Sequence, residues 1–345
     1  MLSKVESSIS NAVPAVDEPA TVRETVAPAR EVPGAVAGQE PAAWVFPGQG
    51  SQDVGMGRDL CERSEVARAI FTQADEVLGS SLSELCFNGP EEELRRTYNA
   101  QPAILTASMA CLRAAQHSGA LRGIPRFVAG HSLGEYTALV AAGAMEFAEA
   151  LWLVRERGRL MQEAGERNPG TMAAILGLDD AAVDEVCRET GAEICNLNGA
   201  GQVVIGGHRE AVLRAMDLSR ARGAVKAIEL NVSGAFHSSL MDSAARGMQQ
   251  ALRNVHLRDP MVPVVANTTA RPLYAAAELR EELALQVTTA VHWRQMVEFM
   301  ARSGVQTFIE IGPGRVLTGL IKRIAGRVNL RNLSNADAIL KPHGD

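Results

Sequence analysis

The chain has 345 residues, 46% of them hydrophobic, 21% charged and 4% aromatic. That length allows about two domains of roughly 150 residues each and excludes a mini-protein, and so few aromatic residues leave the core to Ala, Val, Leu, Ile and Met. A formal charge of −6 gives no cationic surplus for phosphates, so nucleic acid is not an expected partner.

Residues 1–40 are rich in Ala, Val, Pro and Glu, with prolines at 14, 19, 28 and 33 interrupting any helical period, and are expected to be a flexible tail. They contain no apolar core flanked by charge, as a signal peptide would require. Six acidic residues against three basic ones suit no organelle-targeting peptide, so a cytoplasmic protein is expected. Ala43-Trp44-Val45-Phe46 reads as a short buried strand stopped by Pro47-Gly48, followed by a Gly/Gln/Ser loop and then by helical periodicity. Arg126–Ala129 is a second apolar strand, a sharp turn holds Gly130–Gly134, and a helix is predicted from Leu133 to Ala144 with Gly143 as its stop.

From Thr171 to Val232 the order is strand 172–176, helix 180–190, strand 193–196, strand 202–205, helix 209–222 and strand 225–230, a split βαβ unit. A helix over 238–253, a strand over 263–266, a helix over 278–301 and a strand over 307–311 complete the chain. The expected fold class is α/β. An α/β-hydrolase-like large domain (41–168 and 234–335) is interrupted by a ferredoxin-like small domain (169–233), and 336–345 form a C-terminal tail. No apolar run of about 18 residues is present to span a membrane. Cys61, Cys86, Cys111, Cys187 and Cys195 form no CxxC pair and do not cluster with histidine. Neither a disulfide framework nor a metal site is expected.

The strongest chemical signal is Gly130-His131-Ser132-Leu133-Gly134 between a strand and a helix. A nucleophile elbow needs small residues on both sides of a tight turn, and that turn lifts a serine hydroxyl clear of the sheet. It also brings the Leu133 N–H to where charge would build on an attacked carbonyl. Serine needs a base within hydrogen-bond reach. Of seven histidines, His117, His208, His256, His292 and His343 sit in helix-like, turn or tail segments. His131 adjoins the serine, but neighbours across a sharp turn point apart. His237 lies where the inserted unit returns to the large domain, a place that commonly faces a cleft. The residues alone leave the base open.

Five segments occur in order: Phe46-Pro47-Gly48-Gln49-Gly50-Ser51-Gln52, Gly130–Tyr136, Arg157-Gly158 with Met161-Gln162, Gly234-Ala235-Phe236-His237-Ser238, and Glu310-Ile311-Gly312-Pro313-Gly314. Together they resemble the malonyl-CoA:acyl carrier protein transacylases and the acyltransferase domains of modular polyketide synthases, over about residues 42–330. The phrase Asn267–Pro272 looks more like the polyketide branch, so the chain resembles a free-standing acyltransferase acting in trans.

The resemblance implies that Ser132 is the nucleophile and His237 the general base and later acid. Arg157 would pair with the malonyl carboxylate, through a planar guanidinium that lysine cannot imitate. Gln49 and Leu133 would supply the N–H groups of an oxyanion hole, and Gln286 would hold the histidine through an acceptor oxygen. Leu133 and Phe236 match the pattern that accompanies malonyl rather than methylmalonyl, whereas Gly234 stands where the malonyl pattern usually has His. The implied substrates are malonyl-CoA and the phosphopantetheine thiol of an acyl carrier protein, with no bound cofactor and no metal. A monomer is also implied, which nothing in the residues enforces. Gly312–Gly319 lacks the Gly-Lys-Ser/Thr ending of a phosphate loop. Two other functions fit the same fold, a hydrolase that clears stalled acyl groups with Ser132 and His237, and a non-catalytic carrier-protein docking module.

Overall fold

The computed structural model describes residues 41–341, so the tail expected over 1–40 and the last four residues lie outside the described part. β1 (Ala42–Phe46) is followed by the helices α1 (Arg58–Arg63), α2 (Glu65–Leu78), α3 (Leu82–Asn88), α4 (Glu91–Arg95) and α5 (Thr97–Ser118), then by β2 (Phe127–Gly130), α6 (Gly134–Ala141) and α7 (Phe147–Arg167). β1 and β2 pair in parallel, with Phe46 opposite Gly130. Both strands are buried along nearly their whole length, which is why they read as unbroken apolar runs rather than as alternating ones. Their carboxyl ends are therefore side by side, and the loop after β1 emerges next to the turn after β2. Ligand sites of open parallel sheets form at such ends.

Residues 170–229 build a separate sheet from β3 (Gly170–Leu176), α8 (Asp180–Thr190), β4 (Glu193–Gly199), β5 (Gln202–His208), α9 (Arg209–Ala221) and β6 (Lys226–Glu229). The strands lie in the order β4-β5-β3-β6 and all pair antiparallel. Alternation gives this sheet two apolar faces. Ala173, Ile175, Val203 and Ile205 pack with Val183, Val186, Val212 and Ala215 of its own helices. Met172, Cys195 and Val204 face the other way and join the core of the large unit beside Ala235.

The chain returns through α10 (Asp242–Ala251), β7 (Val264–Val265), β8 (Pro272–Leu273), α11 (Ala276–Leu285), α12 (Trp293–Arg302), β9 (Thr307–Ile311), α13 (Val316–Ala325), β10 (Asn329–Leu333) and α14 (Ala336–Leu340). The large sheet runs β10-β9-β1-β2-β7-β8, parallel except for the β7–β8 pair.

Two expectations change here. The single helix predicted over 278–301 is two helices, because 286–292 leaves the helical path and pairs with β4. Val291 N–H donates to Cys195 O at 2.9 Å and Leu197 N–H donates to Val291 O at 2.8 Å. The segment 336–340, expected in a tail, is helical. Asn335 Oδ1 caps it by accepting from Ala338 N–H at 2.9 Å, and Ala336 and Ile339 are buried. The edge strand β10 had no counterpart in the sequence reading. Among the described residues all five cysteines are free and buried, no cluster of His, Cys, Asp or Glu could hold a metal ion, and no helix is long and apolar enough to cross a membrane.

Candidate active site

Ser132 occupies the left-handed region with φ 51°, a conformation that costs energy outside glycine. Its neighbours must be small. A Cβ on Gly130 would lie 1.9 Å from the Gly134 carbonyl carbon, and one on Gly134 would lie 2.1 Å from Phe46 O. Asn267, fully buried, holds the elbow from outside it. Its Oδ1 accepts from Ser132 N–H at 2.7 Å and its Nδ2 donates to Gly130 O at 2.8 Å.

The Ser132 hydroxyl lies 2.8 Å from His237 Nε2. His237 Nδ1 faces two main-chain carbonyls, Gln286 O at 2.8 Å and Thr289 O at 3.2 Å. Carbonyl oxygens only accept, so Nδ1 carries the proton and the Nε2 lone pair faces the serine, the tautomer a general base needs. Burial, and then the positive charge of Arg157, push the imidazole pKa down to about 3, so the ring is neutral at physiological pH. His237 also has positive φ, 61°. Ser132 and His237 thus both sit on strained backbone held by surrounding hydrogen bonds.

Arg157, on α7, is buried beneath them. Its NH2 donates to Ser132 Oγ at 3.1 Å and to Gln286 Oε1 at 2.9 Å, and its NH1 donates to Gln101 Oε1 at 2.8 Å. The guanidinium also lies 5.4 Å from the centre of the Tyr136 ring. Among the described residues it has no carboxylate at ion-pair distance. Gln286 touches all three groups. Its main-chain oxygen holds His237, while its side chain serves Arg157, Ser132 O at 2.9 Å and the Glu135 carboxylate.

The loop after β1 packs onto the elbow so closely that a Cβ on Gly48 would lie 2.4 Å from His131 O. Among the described residues neither the Gln49 N–H nor the Leu133 N–H has a hydrogen-bond acceptor. The Gln49 side chain is occupied elsewhere, with Nε2 donating to Thr97 Oγ1 at 3.4 Å. His131 points away from the serine, its Nε2 2.8 Å from Asn198 Oδ1 on β4. Phe236 is buried beside His237. Gly234 opens no cavity, because a Cβ there would already meet Gly165 Cα at 3.3 Å, Met241 Cε at 3.5 Å and Phe236 Cε1 at 3.6 Å.

Asn267, Gln101, Glu135 and Thr289 had no site role in the sequence reading. Asn267 stood there only as part of a branch phrase, and Glu135 only within the elbow motif. Asparagine and glutamine join a site through geometry, and no local pattern marks them.

A family model described as acyl transferase domain matches residues 43–333. The malonyl CoA-acyl carrier protein transacylase of Bacillus subtilis (strain 168) is 44% identical over 302 residues, covering 86% of this chain and 94% of its own. The Escherichia coli (strain K12) protein of the same name is 44% identical over 301 residues, with 86% and 97% covered. Among solved structures, a malonyl-transacylase in complex with a holo type II polyketide synthase acyl-carrier protein matches with a TM-score of 0.84 at 43% identity, over 87% of this chain and 98% of that one. An acyl carrier protein S-malonyltransferase from Vibrio cholerae matches with a TM-score of 0.84 at 41% identity, over 87% and 98%. With its elbow, its Ser132–His237 pair and likeness along nearly the whole length of these proteins, the chain belongs to the acyl transferase family.

Proposed function

We propose that this protein moves a malonyl group from malonyl-CoA to the phosphopantetheine thiol of an acyl carrier protein, by a ping-pong mechanism at Ser132. The observation that carries this reading is a buried guanidinium 3.1 Å from the nucleophilic oxygen with no carboxylate partner among the described residues. The carboxyl carbon of a malonyl thioester lies two bonds from the carbonyl carbon under attack. A cation beside the nucleophile is where that carboxylate would need it, and a planar guanidinium binds it through two parallel hydrogen bonds.

Ser132 Oγ attacks the thioester carbonyl carbon as its proton passes to His237 Nε2. The Gln49 and Leu133 N–H groups, free of other acceptors, receive the oxyanion. The C–S bond then breaks, coenzyme A takes the proton from His237, and a malonyl ester remains on Ser132. In the second half the carrier thiol gives its proton to His237, its sulfur attacks the ester carbon, and Ser132 oxygen leaves and recovers the proton. The transacylase solved with a type II polyketide synthase carrier protein supports service to polyketide or fatty-acid assembly. Phe236 beside His237 supports malonyl over α-branched units, although one methyl in an apolar pocket is worth only about 1–3 kcal/mol.

A hydrolase clearing neutral acyl groups would gain nothing from Arg157. Incubation with malonyl-CoA and holo carrier protein tests the choice: malonyl-carrier protein is expected to form faster than free malonate, and the reverse order would establish the hydrolase.

A further inference from the structure

We infer that Gln101 is a specificity-determining residue: its neutral amide holds the Arg157 guanidinium beside Ser132 without cancelling the charge, which is thereby kept for the carboxylate of the acyl group. This rests on the reading of Arg157 as the malonyl clamp.

Gln101 lies in the first turns of α5 with its side chain fully buried. Its Oε1 accepts from Arg157 NH1 at 2.8 Å. The guanidinium has no acceptor atom, so the amide must present its oxygen to it. The other holder, Gln286 Oε1 at 2.9 Å, is also an amide, and Arg157 Nε is buried with no partner among the described residues. The Glu135 carboxyl is near enough to favour the Arg157 charge but is not at ion-pair distance; burial holds its pKa well above the usual carboxylate range, and its oxygens are engaged by Asn267 N–H at 3.0 Å and by Gln286 Nε2.

Buried arginines are ordinarily paired, because an uncompensated buried charge is strongly destabilising. A glutamate at 101 has the same shape as glutamine and would supply the counter-ion. Instead the chain places there an amide whose NH2 finds only a thioether, Met161 Sδ at 3.5 Å, a weak acceptor. A core selected for stability alone would favour the carboxylate; a site that selects carboxylate-bearing acyl groups needs the amide. Gln286 cannot be used to separate these roles, since its NH2 also donates to Ser132 O. Gln101 can, because its NH2 touches only sulfur.

The test compares acylation of Ser132 by malonyl-CoA and by acetyl-CoA, read by quenched intact-protein mass spectrometry, in wild type, Q101E, Q101M and R157A. In Q101E the new carboxylate occupies the guanidinium. Malonyl loading is expected to fall roughly 100-fold while acetyl loading stays within about 3-fold, and the melting temperature is expected at or above wild type. Q101M removes the acceptor and adds no charge, so both rates fall but the malonyl preference survives. Equal losses of both acyl groups in Q101E, a retained malonyl preference, or a marked drop in its melting temperature would overturn the inference. So would a Q101M that loses the preference as fully as Q101E. R157A separates the two levels. If it keeps the malonyl preference, the clamp itself is wrong. If it loses the preference while Q101E keeps it, the clamp stands and Gln101 has no part in it.

Discussion

Ser132 was legible because an elbow is a local property: glycines at 130 and 134 clear the space that the turn consumes. The pairing of His237 with a serine 105 residues away is a fact of topology, so the residues alone left the base open, and it was the likeness of Gly234–Ser238 to a family segment that pointed to His237. The environment of His237 makes a sharp prediction about pH. Its pKa is pushed down to about 3 by burial and by Arg157, so in the free enzyme the imidazole stays neutral through the range where histidine ordinarily titrates. The pH profile of kcat/KM for malonyl loading reports the free enzyme, and it is expected to stay level from pH 8 down through 6.5, with its acid limb well below. A half-maximal rate near pH 6.5 would contradict this environment. The same shift acts on stability. Between about pH 6.5 and 3 the unfolded chain binds a proton at this residue that the folded protein refuses, so stability is fully present above 6.5 and falls as pH drops through that window. At this scale two substitutions bear on the proposed roles. Ser132→Ala should show no mass adduct after malonyl-CoA treatment. Arg157→Ala should lose malonyl loading by about 2–5 kcal/mol of transition-state binding, roughly 30- to 5,000-fold, while tolerating neutral acyl-CoA better.

At the scale of elements, strands and helices were largely readable where one periodicity prevailed. β1, β2 and the six elements over 170–229 follow their apolar patterns closely. The reading failed where a tertiary contact overrides a helical pattern. Nothing in Leu285-Gln286-Val287-Thr288-Thr289 breaks a helix outright, and the break comes from the pairing of Val291 with β4 together with the use of the Gln286 and Thr289 carbonyls by His237. A continuing helix would bond those carbonyls internally, so the break frees the acceptors that fix the histidine tautomer. The α14 helix was missed because five residues are too few to carry a period. The elbow likewise depends on a residue from another element. Asn267→Ala would leave Ser132 N–H and Gly130 O, both bonded to the Asn267 side chain, without partners in a buried setting, at about 1–3 kcal/mol each. An unfolding free energy from denaturant titration lowered by that amount is expected, together with reduced acylation, because the positive φ of Ser132 loses its restraint. A variant with unchanged stability would show that the elbow holds itself.

At the scale of the molecule, β4 on the small sheet ties that sheet to the site at three points. Asn198 meets His131 of the elbow. Cys195 and Leu197 pair with Val291 in the segment that orients His237. Glu193 accepts from Ser239 N–H at 3.0 Å and from Ser239 Oγ at 2.6 Å, two residues beyond His237. The sheet is thus a brace for both the serine and the histidine, which gives the interruption of the large unit by a second sheet a physical purpose. The Glu193 contact is the most exposed of the three, so removing it tests the brace with the least damage to the core. Glu193→Ala deletes both acceptor oxygens and lets the backbone after His237 relax, against a positive φ that costs energy to maintain. The expected result is a several-fold loss of acylation rate with both malonyl-CoA and acetyl-CoA, a melting temperature lower by a few degrees, about 1 kcal/mol, and an unchanged ratio between the two acyl groups. That constant ratio distinguishes a brace on the Ser132–His237 pair from any part in choosing the substrate. A change in the ratio would mean that β4 reaches the acyl group itself.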